Sequence, residues 1–224
     1  MSEPVAGRAG CNSKRSESGQ PGVFMEHSSA TMDDDHIDSD GFRANVGIIL
    51  CNDEGKLLLA GRVGSKGWQF PQGGILRGET AEQAMYRELH EEIGLGESDV
   101  EVLGSTSDWL KYRLPDKYVR HGSVPLCIGQ KQRWFMLRLT VDEDRLRFDR
   151  GETPEFDRWR WVEFWRPVNE VIYFKRRVYA LALHELGAHI HPDGLPPRPR
   201  WWPQRWRAMF DKDLAGAAKQ SVAD

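Results

Sequence analysis

The chain has 224 residues, 39% of them hydrophobic and 29% charged, enough to bury one sizeable core with length left over for tails. No apolar run approaches the roughly 20 residues of a membrane span, nothing at the N-terminus resembles a signal peptide, and three scattered cysteines (Cys11, Cys51, Cys127) without a C-x-x-C exclude a disulfide framework and a zinc site, which points to the reducing cytoplasm. The net charge of −3 divides unevenly: residues 1–40 carry three basic and eight acidic side chains, leaving 28 basic against 26 acidic over 41–224, so no global positive field gathers nucleic acid and any polyanion must be held by local cations.

In chain order, residues 1–36 are rich in Ser, Gly and acidic residues, lack hydrophobic periodicity, and are expected to be a disordered leader within which Met25 and Met32 offer alternative starts. Residues 43–51 (RANVGIILC) read as a strand, 52–55 (NDEG) as a turn and 56–62 as the returning strand. A Gly/Ser loop over 64–67 leads to a short strand at 68–70 and then to Pro71-Gln72-Gly73-Gly74. Next comes a helix with its ends written in: Thr80 can cap the first turn, Gln83 three residues on can return the bond, and Gly94 tolerates the left-handed turn that stops it. Ala81, Met85, Leu89 and Ile93 form its apolar stripe. Strands are expected at 100–106 and 109–114, a long, partly basic loop at 115–129, and strands at 131–140 (Trp134, Met136 and Arg138 on one side) and 159–164. Residues 167–189 read as one helix with Val171, Phe174, Val178, Leu181 and Leu183 towards the core, and Trp159, Trp161 and Trp165 are expected to pack. Residues 190–224 interleave five prolines with Trp201, Trp202 and Trp206, too many prolines for a long helix. They read as a loosely attached tail or as a docking segment for a partner protein or membrane surface. The result is an α/β domain over 37–189, a mixed sheet between helices.

The chemistry concentrates on the helix after Gly73. Glu88, Glu91 and Glu92 fall within an arc of about 100° of it. A lone E-x-x-E-E describes a solvated helix face, but three carboxylates this close repel unless cations sit among them, and oxygen ligands suit Mg²⁺ or Mn²⁺. Arg87 is four residues before Glu91 and can pair with it. The full pattern is Gly73, five residues, Glu79, seven residues, Arg87-Glu88-Leu89, any residue, Glu91-Glu92, any residue, Gly94-Leu95. This resembles the Nudix box at every defined position. Other stretches (IDSDGFRANVGIIL, GWQFPQGGI, EQAMYREL, CIGQKQRWF, TPEFDRWRWV and FKRRVY) resemble one Nudix subgroup, the bacterial RNA pyrophosphohydrolases, also described as (di)nucleoside polyphosphate hydrolases. Relative to that subgroup the leader is extra, and the Trp/Pro tail is unexplained.

The resemblance implies a Nudix α/β/α sandwich and a metal-dependent hydrolase that converts the 5′-triphosphate end of RNA to a 5′-monophosphate, promoting mRNA decay. It implies a metal site of Glu88, Glu91 and Glu92, joined by Glu155 and by the carbonyl of Gly73. One carboxylate of the trio, Glu88 the first choice, takes the proton of the attacking water; base and ligand within the trio are not separable from sequence. Glu79 is assigned to the loop and helix start. Arg43 and Arg62 match positions that meet the 5′ phosphates, and Phe174 and Lys175 match residues that bracket the first base, although Phe174 reads equally as core. The stretch 111–133 holds six basic residues against one acidic, and Lys111, Arg113 and Lys131 in it suit phosphate contacts. Hydrolysis of dinucleoside polyphosphates or free nucleotides uses the same site and stays open, as does a silent nucleotide-sensing domain, which the intact glutamates disfavour. No DNA or membrane partner is expected.

Overall fold

The computed structural model describes residues 36–148, 154–206 and 210. The expected disorder of the leader, and the far end of the tail, therefore lie outside the described residues. Eight strands form one mixed sheet: β1 (Phe42–Cys51), β2 (Leu57–Arg62), β3 (Trp68–Gln69), β4 (Gln72–Gly74), β5 (Val100–Ser105), β6 (Leu110–Arg113), β7 (Gly129–Leu139) and β8 (Phe156–Val162). The helices are α1 (Ala81–Ile93), α2 (Arg166–Glu170) and α3 (Arg176–Leu186). β1 and β7 run parallel along ten residue pairs at the centre; all other pairings are antiparallel.

Both central strands divide their outer edges between two partners. β1 meets β2 only at Cys51 and Leu57, and then the two diverge so that β4 pairs with the earlier half of β1, Gly73 opposite Val46. β7 carries β5 along its later half and β6 along its earlier half. The wedge between β1 and β2 thus delivers β4, and the glycines it contains, to the base of α1.

Strand alternation sends side chains to two layers. Val46, Ile48, Leu50, Leu58, Phe135 and Leu137 pack against Ala84, Met85, Leu89 and Ile93 of α1. Ile49, Cys51, Leu57, Leu59, Trp134 and Met136 pack against Val178, Tyr179, Ala182 and Leu183 of α3. The α/β/α sandwich follows, with α1 held by a Thr80–Gln83 capping box and stopped at Gly94, whose φ is +74°.

Three expectations need correction. The helix expected over 167–189 is broken: Val171 adopts an extended ψ of 155°, Tyr173–Lys175 form a single 3₁₀ turn, and α3 begins at Arg176. Two adjacent β-branched residues, Val171 and Ile172, sit at the break, where χ1 crowding disfavours the helix. Second, the last strand begins and ends earlier than expected, and Phe164 and Trp165 leave the sheet for the core on the α3 side. Third, the described part of the tail, residues 190–206 and 210, is not loose. Trp202, Trp206 and Phe210 are buried with α3. The Trp202 ring lies 4.7 Å from Trp165 and 5.3 Å from Phe210, and Trp165 Nε1 donates to the Pro196 carbonyl. Of the three tryptophans only Trp201 is exposed, so the three do not form the exposed patch expected of them. Over residues 190–203 the prolines fall among turns, and these let large aromatic rings reach the core.

Candidate active site

The site forms where β4 passes beneath α1. Gly73 faces Glu88 so closely that a Cβ at this position would lie 1.8 Å from the Glu88 carboxyl carbon. Gln72 donates its backbone N–H to Glu92 Oε2 at 2.8 Å. The other oxygen, Glu92 Oε1, is buried and has no hydrogen-bond partner among the described residues. Leaving such an acceptor bare is costly unless something absent from the chain satisfies it.

Arg87 organises the carboxylates around it. Its guanidinium grips Glu79 through two bonds (2.9 and 3.0 Å), donates to Glu88 Oε1 (2.6 Å) and to the Gly74 carbonyl (2.7 Å), and reaches Glu91 only at 3.4 Å. The i,i+4 pairing expected with Glu91 is thus the weakest of its contacts, and the Glu79 pair, eight residues away, is the strongest by geometry. Glu79 also accepts from the Leu76 N–H. Burial would raise its pKa, but Arg87 and Leu76 outweigh that and hold it below the usual carboxylate range.

Glu88 and Glu92 go the other way. Burial pushes Glu88 up to about 7, with Glu91 and Glu155 adding to the effect and Arg87 opposing it. Burial likewise raises Glu92 well above an ordinary carboxylate, helped by Glu155 and Glu88 and opposed by the Gln72 N–H and Arg62. These mutual influences bring Glu88, Glu92, Glu155 and Arg62 into one electrostatic neighbourhood, although Glu155 lies 63 residues beyond Glu92 in sequence. Glu91 is half-exposed.

Among the described residues no three His, Cys, Asp or Glu side chains close around a single point, because Glu88 turns to Arg87 and Glu91 points outward. The chemistry of the set still fits a hard divalent cation: oxygen donors only, excess negative charge, and one buried carboxylate oxygen without a partner.

The other expected residues separate into two groups. Register and alternation put Lys111, Arg113 and Lys131 on the α1 face of the sheet, around Phe42 and Trp109. Lys131 is paired there with Asp38 at 2.9 Å, and Lys111 lies 3.9 Å from Asp40. On the α3 face, Arg43, Gln130 and Tyr112 share one row across β1, β7 and β6. Arg43 extends over Gly74, where a Cβ would lie 2.4 Å from its Nη2. Lys175 is buried on this face, its Nζ 3.1 Å from Gln72 Oε1 and 5.7 Å from the Tyr112 ring. Phe174 is half-buried among Tyr112, Tyr118 and Tyr173. Arg62, at the end of β2, donates its N–H to the Gly67 carbonyl. The expected cations therefore do not form one cluster; the sheet lies between Lys131 and Lys175.

Sequence reasoning missed a buried polar layer on the α3 face of the sheet: Asn45, Gln72, Gln130 and Gln132, all nearly inaccessible. Gln132 Nε2 lies 3.3 Å from Asn45 Oδ1 and 3.5 Å from Gln72 Oε1, and Tyr112 donates to Gln130 Oε1 at 2.6 Å. The available signal was polar residues at inward positions of strands, in PQGG and GQKQ.

A family model described as the NUDIX domain matches residues 41–182. The chain is 60% identical over 163 residues to the RNA pyrophosphohydrolase of Alkalilimnicola ehrlichii (73% of this chain, 90% of that protein), and 57% over 164 residues to that of Thioalkalivibrio sulfidiphilus (73% and 95%). It is 60% identical over 150 residues to the RNA pyrophosphohydrolase of Legionella pneumophila (67% and 86%). Among solved structures, the E. coli dihydroneopterin triphosphate pyrophosphohydrolase superposes with a TM-score of 0.50 at 18% identity (62% of this chain, 92% of that one). A NUDIX hydrolase from Listeria monocytogenes gives 0.50 at 20% (69% and 98%). At such identities these two establish the fold alone. With the fold, the complete box on α1 and the match over 41–182 in agreement, the chain belongs to the NUDIX family.

Proposed function

We propose that the chain is an RNA pyrophosphohydrolase, cleaving a phosphoanhydride bond of an RNA 5′-triphosphate to leave a 5′-monophosphate and release pyrophosphate. The observation that carries the chemistry is the buried Glu92 with one oxygen fixed by Gln72 and the other without a partner among the described residues, beside the buried Glu88. The three relatives named RNA pyrophosphohydrolase support the substrate. Glu88, Glu91, Glu92 and Glu155, with the Gly73 carbonyl, are the groups that would hold a divalent cation, Mg²⁺ or Mn²⁺. When bound, the cation supplies charge neutralisation at the phosphates and lowers the pKa of water.

Glu88 is the residue assigned to accept the proton of the attacking water, its carboxyl being buried against Gly73 at the centre of the carboxylate set. Arg87 keeps it oriented. Arg62, whose charge is felt at Glu92, and Arg43, which extends over Gly74, are assigned the phosphates. Phe174 and Lys175 are assigned the first base. The same reading puts the protein in the cytoplasm, acting at the onset of mRNA decay. In keeping with this, no helix among the described residues is long and apolar enough to cross a membrane. The reading calls for no DNA partner.

A competition in Mg²⁺ between a short 5′-triphosphorylated RNA, diadenosine tetraphosphate and nucleoside triphosphates tests the assignment. Preferential conversion of the RNA to its 5′-monophosphate is expected. Faster cleavage of the dinucleotide, with the RNA untouched, would leave the hydrolase and overturn its substrate.

A further inference from the structure

On the α3 face of the sheet, Trp68 of β3, Gly61 of β2 and Arg158 of β8 stand in one row with β2 in the middle. Gly61 has no side chain there, and Arg158 uses the gap to cross β2. A Cβ on Gly61 would lie 2.6 Å from Arg158 Cγ and 2.7 Å from its Nε. The guanidinium thereby arrives on the far side of the strand. Its carbon lies 5.2 Å over the Trp68 ring, Nη2 donates to the Ser65 carbonyl at 2.6 Å, and Nη1 reaches the Arg62 carbonyl at 3.5 Å. Trp68 is backed in turn by Arg160, 4.0 Å away, which is paired with Glu170 of α2.

What Arg158 grips is the turn that presents Arg62. The turn joins β2 to β3, with the Arg62 N–H on the Gly67 carbonyl and the Ser65 N–H on the Arg62 carbonyl. Between Gly61 and Arg62 the β2–β8 register shifts, so that Gly61 pairs with Arg158 but Arg62 pairs with Phe156, and Asp157 is passed over. A bulge of this kind re-aims the side chains on either side of it. Here it leaves Arg158 on the α3 face while Phe156, and Arg62 opposite it, belong to the α1 face, where the Arg62 charge is felt at Glu92. The next residue, Val63, donates its N–H to the Glu155 carbonyl at 2.9 Å. One short turn is thus tied both to Arg158 and to the segment that carries Glu155.

We propose that Arg158 is a positioning residue for Arg62: by clamping the turn after β2 across Gly61, it holds the Arg62 guanidinium at the substrate phosphates. The proposal rests on the assignment of Arg62 to the phosphates made above, and adds to it a residue that touches neither the substrate nor the carboxylates. The clamp needs all three members of the row. Gly61 leaves the path open, Trp68 gives the guanidinium a surface to lie on, and the fork of Arg158 can meet two carbonyls at once.

The test is a double-mutant cycle in the full-length protein, Arg158→Met against Arg62→Ala, read as kcat/KM for a 5′-triphosphorylated tetranucleotide RNA at several salt concentrations. Methionine keeps an unbranched stem across Gly61 and removes the guanidinium, and the Arg158 side chain is 39% exposed, so the fold is expected to persist. Arg62→Ala is expected to lower kcat/KM by about 10- to 100-fold, the range for loss of one hydrogen bond to a charged group. Arg158→Met should lower it by about 10-fold alone, but by less than about 2-fold once Arg62 is alanine. Each substitution should also flatten the dependence of log(kcat/KM) on log salt by about 0.7, one phosphate contact on a single strand, which a merely structural role would not do. Wild-type kcat/KM in Arg158→Met, an equal loss in both backgrounds, or an unchanged salt slope overturns the clamp and leaves Arg62 in the site. Arg62→Ala with wild-type kcat/KM overturns the phosphate assignment and the clamp with it. If the wild type leaves RNA untouched, the substrate reading fails by itself, and the same cycle is read on diadenosine tetraphosphate, whose phosphates would meet the same turn.

Discussion

The contact between Gly73 and Glu88 yields a prediction that separates two roles of the glycine. In Gly73→Ala the new Cβ would lie 1.8 Å from the Glu88 carboxyl carbon and 1.9 and 2.0 Å from its oxygens, whereas ordinary contact begins at 3.4 Å. The carboxyl group must therefore retreat by roughly 1.5 Å, because the glycine lies on the β4 backbone and cannot move without breaking its register with Val46. Gly73 does not have a positive φ, so alanine adds no backbone strain, and it leaves the carbonyl in place. A displacement of about 1 Å at reacting groups costs on the order of 100-fold, so kcat/KM for 5′-triphosphorylated RNA should fall by about that factor. The melting temperature should change little, since the side chain that yields is near the end of a flexible glutamate. Repeating the substitution in a Glu88→Asp background, where the shorter side chain leaves room, should reduce the additional loss to under about 10-fold, a non-additivity expected of residues in contact. Gly73→Ala with wild-type kcat/KM would show that the close approach does not position Glu88, and an equal loss in both backgrounds would place the effect elsewhere on β4.

Three further predictions concern charge and packing. Glu92→Gln keeps an acceptor for the Gln72 N–H while removing a buried charge, so thermal melts in chelator should match or exceed wild type, whereas turnover should fall by at least about 100-fold and the stabilisation by Mg²⁺ should disappear; retained turnover would remove Glu92 from the site. The raised pKa values of Glu88 and Glu92 mean that the folded, metal-free protein binds more protons than the unfolded chain, so their contribution to stability is complete below about pH 4.5 and is lost as pH rises through about 7 for Glu88. For Glu88 the difference approaches about 3 kcal/mol above pH 7; denaturant curves in chelator at pH 5.5, 7 and 8.5 should show it as a slope that Glu88→Gln flattens, and parallel slopes for the two proteins would contradict the burial argument. Trp202→Ala should cost about 3–5 kcal/mol, lowering the melting temperature by about 6–20 °C; a shift under 2 °C would return the tail to a loose attachment.

Much of the site was legible because it is local. The Thr80–Gln83 cap, the Gly94 stop and the spacing of Glu88, Glu91 and Glu92 are written within one helix, where 3.6-residue periodicity converts spacing into geometry. The strands of the central sheet were legible for the same reason, each being a short apolar run between turn residues. What could not be read was set by partners far away in sequence. Arg87 has Glu91 as its obvious helical neighbour but bonds Glu79 and Gly74 more closely, because β4 passes beneath that turn. Lys111, Arg113 and Lys131 form one charge cluster in sequence, yet the pleat commits all three to the face opposite Lys175.

The C-terminal third shows how such distant partners decide local structure. Residues 167–189 have enough helical periodicity to be written as one helix, and the break at Val171 and Ile172 has only a weak local cause. Its benefit lies elsewhere: a fresh start at Arg176 lets the Tyr179 hydroxyl oxygen accept from the Phe70 N–H and the Tyr179 ring stack on the Phe70 ring at 4.9 Å, while Lys175 reaches Gln72. Phe70 and Gln72 flank the entry to β4, so the broken helix fixes from one side the same segment that Glu92 fixes from the other. The tail presses on the far end of α3, Phe210 against His184 and Leu195 against Gly187. Residues that look dispensable in sequence thereby help to hold α3, and the Trp202→Ala melt reports on that support as directly as on the tail itself.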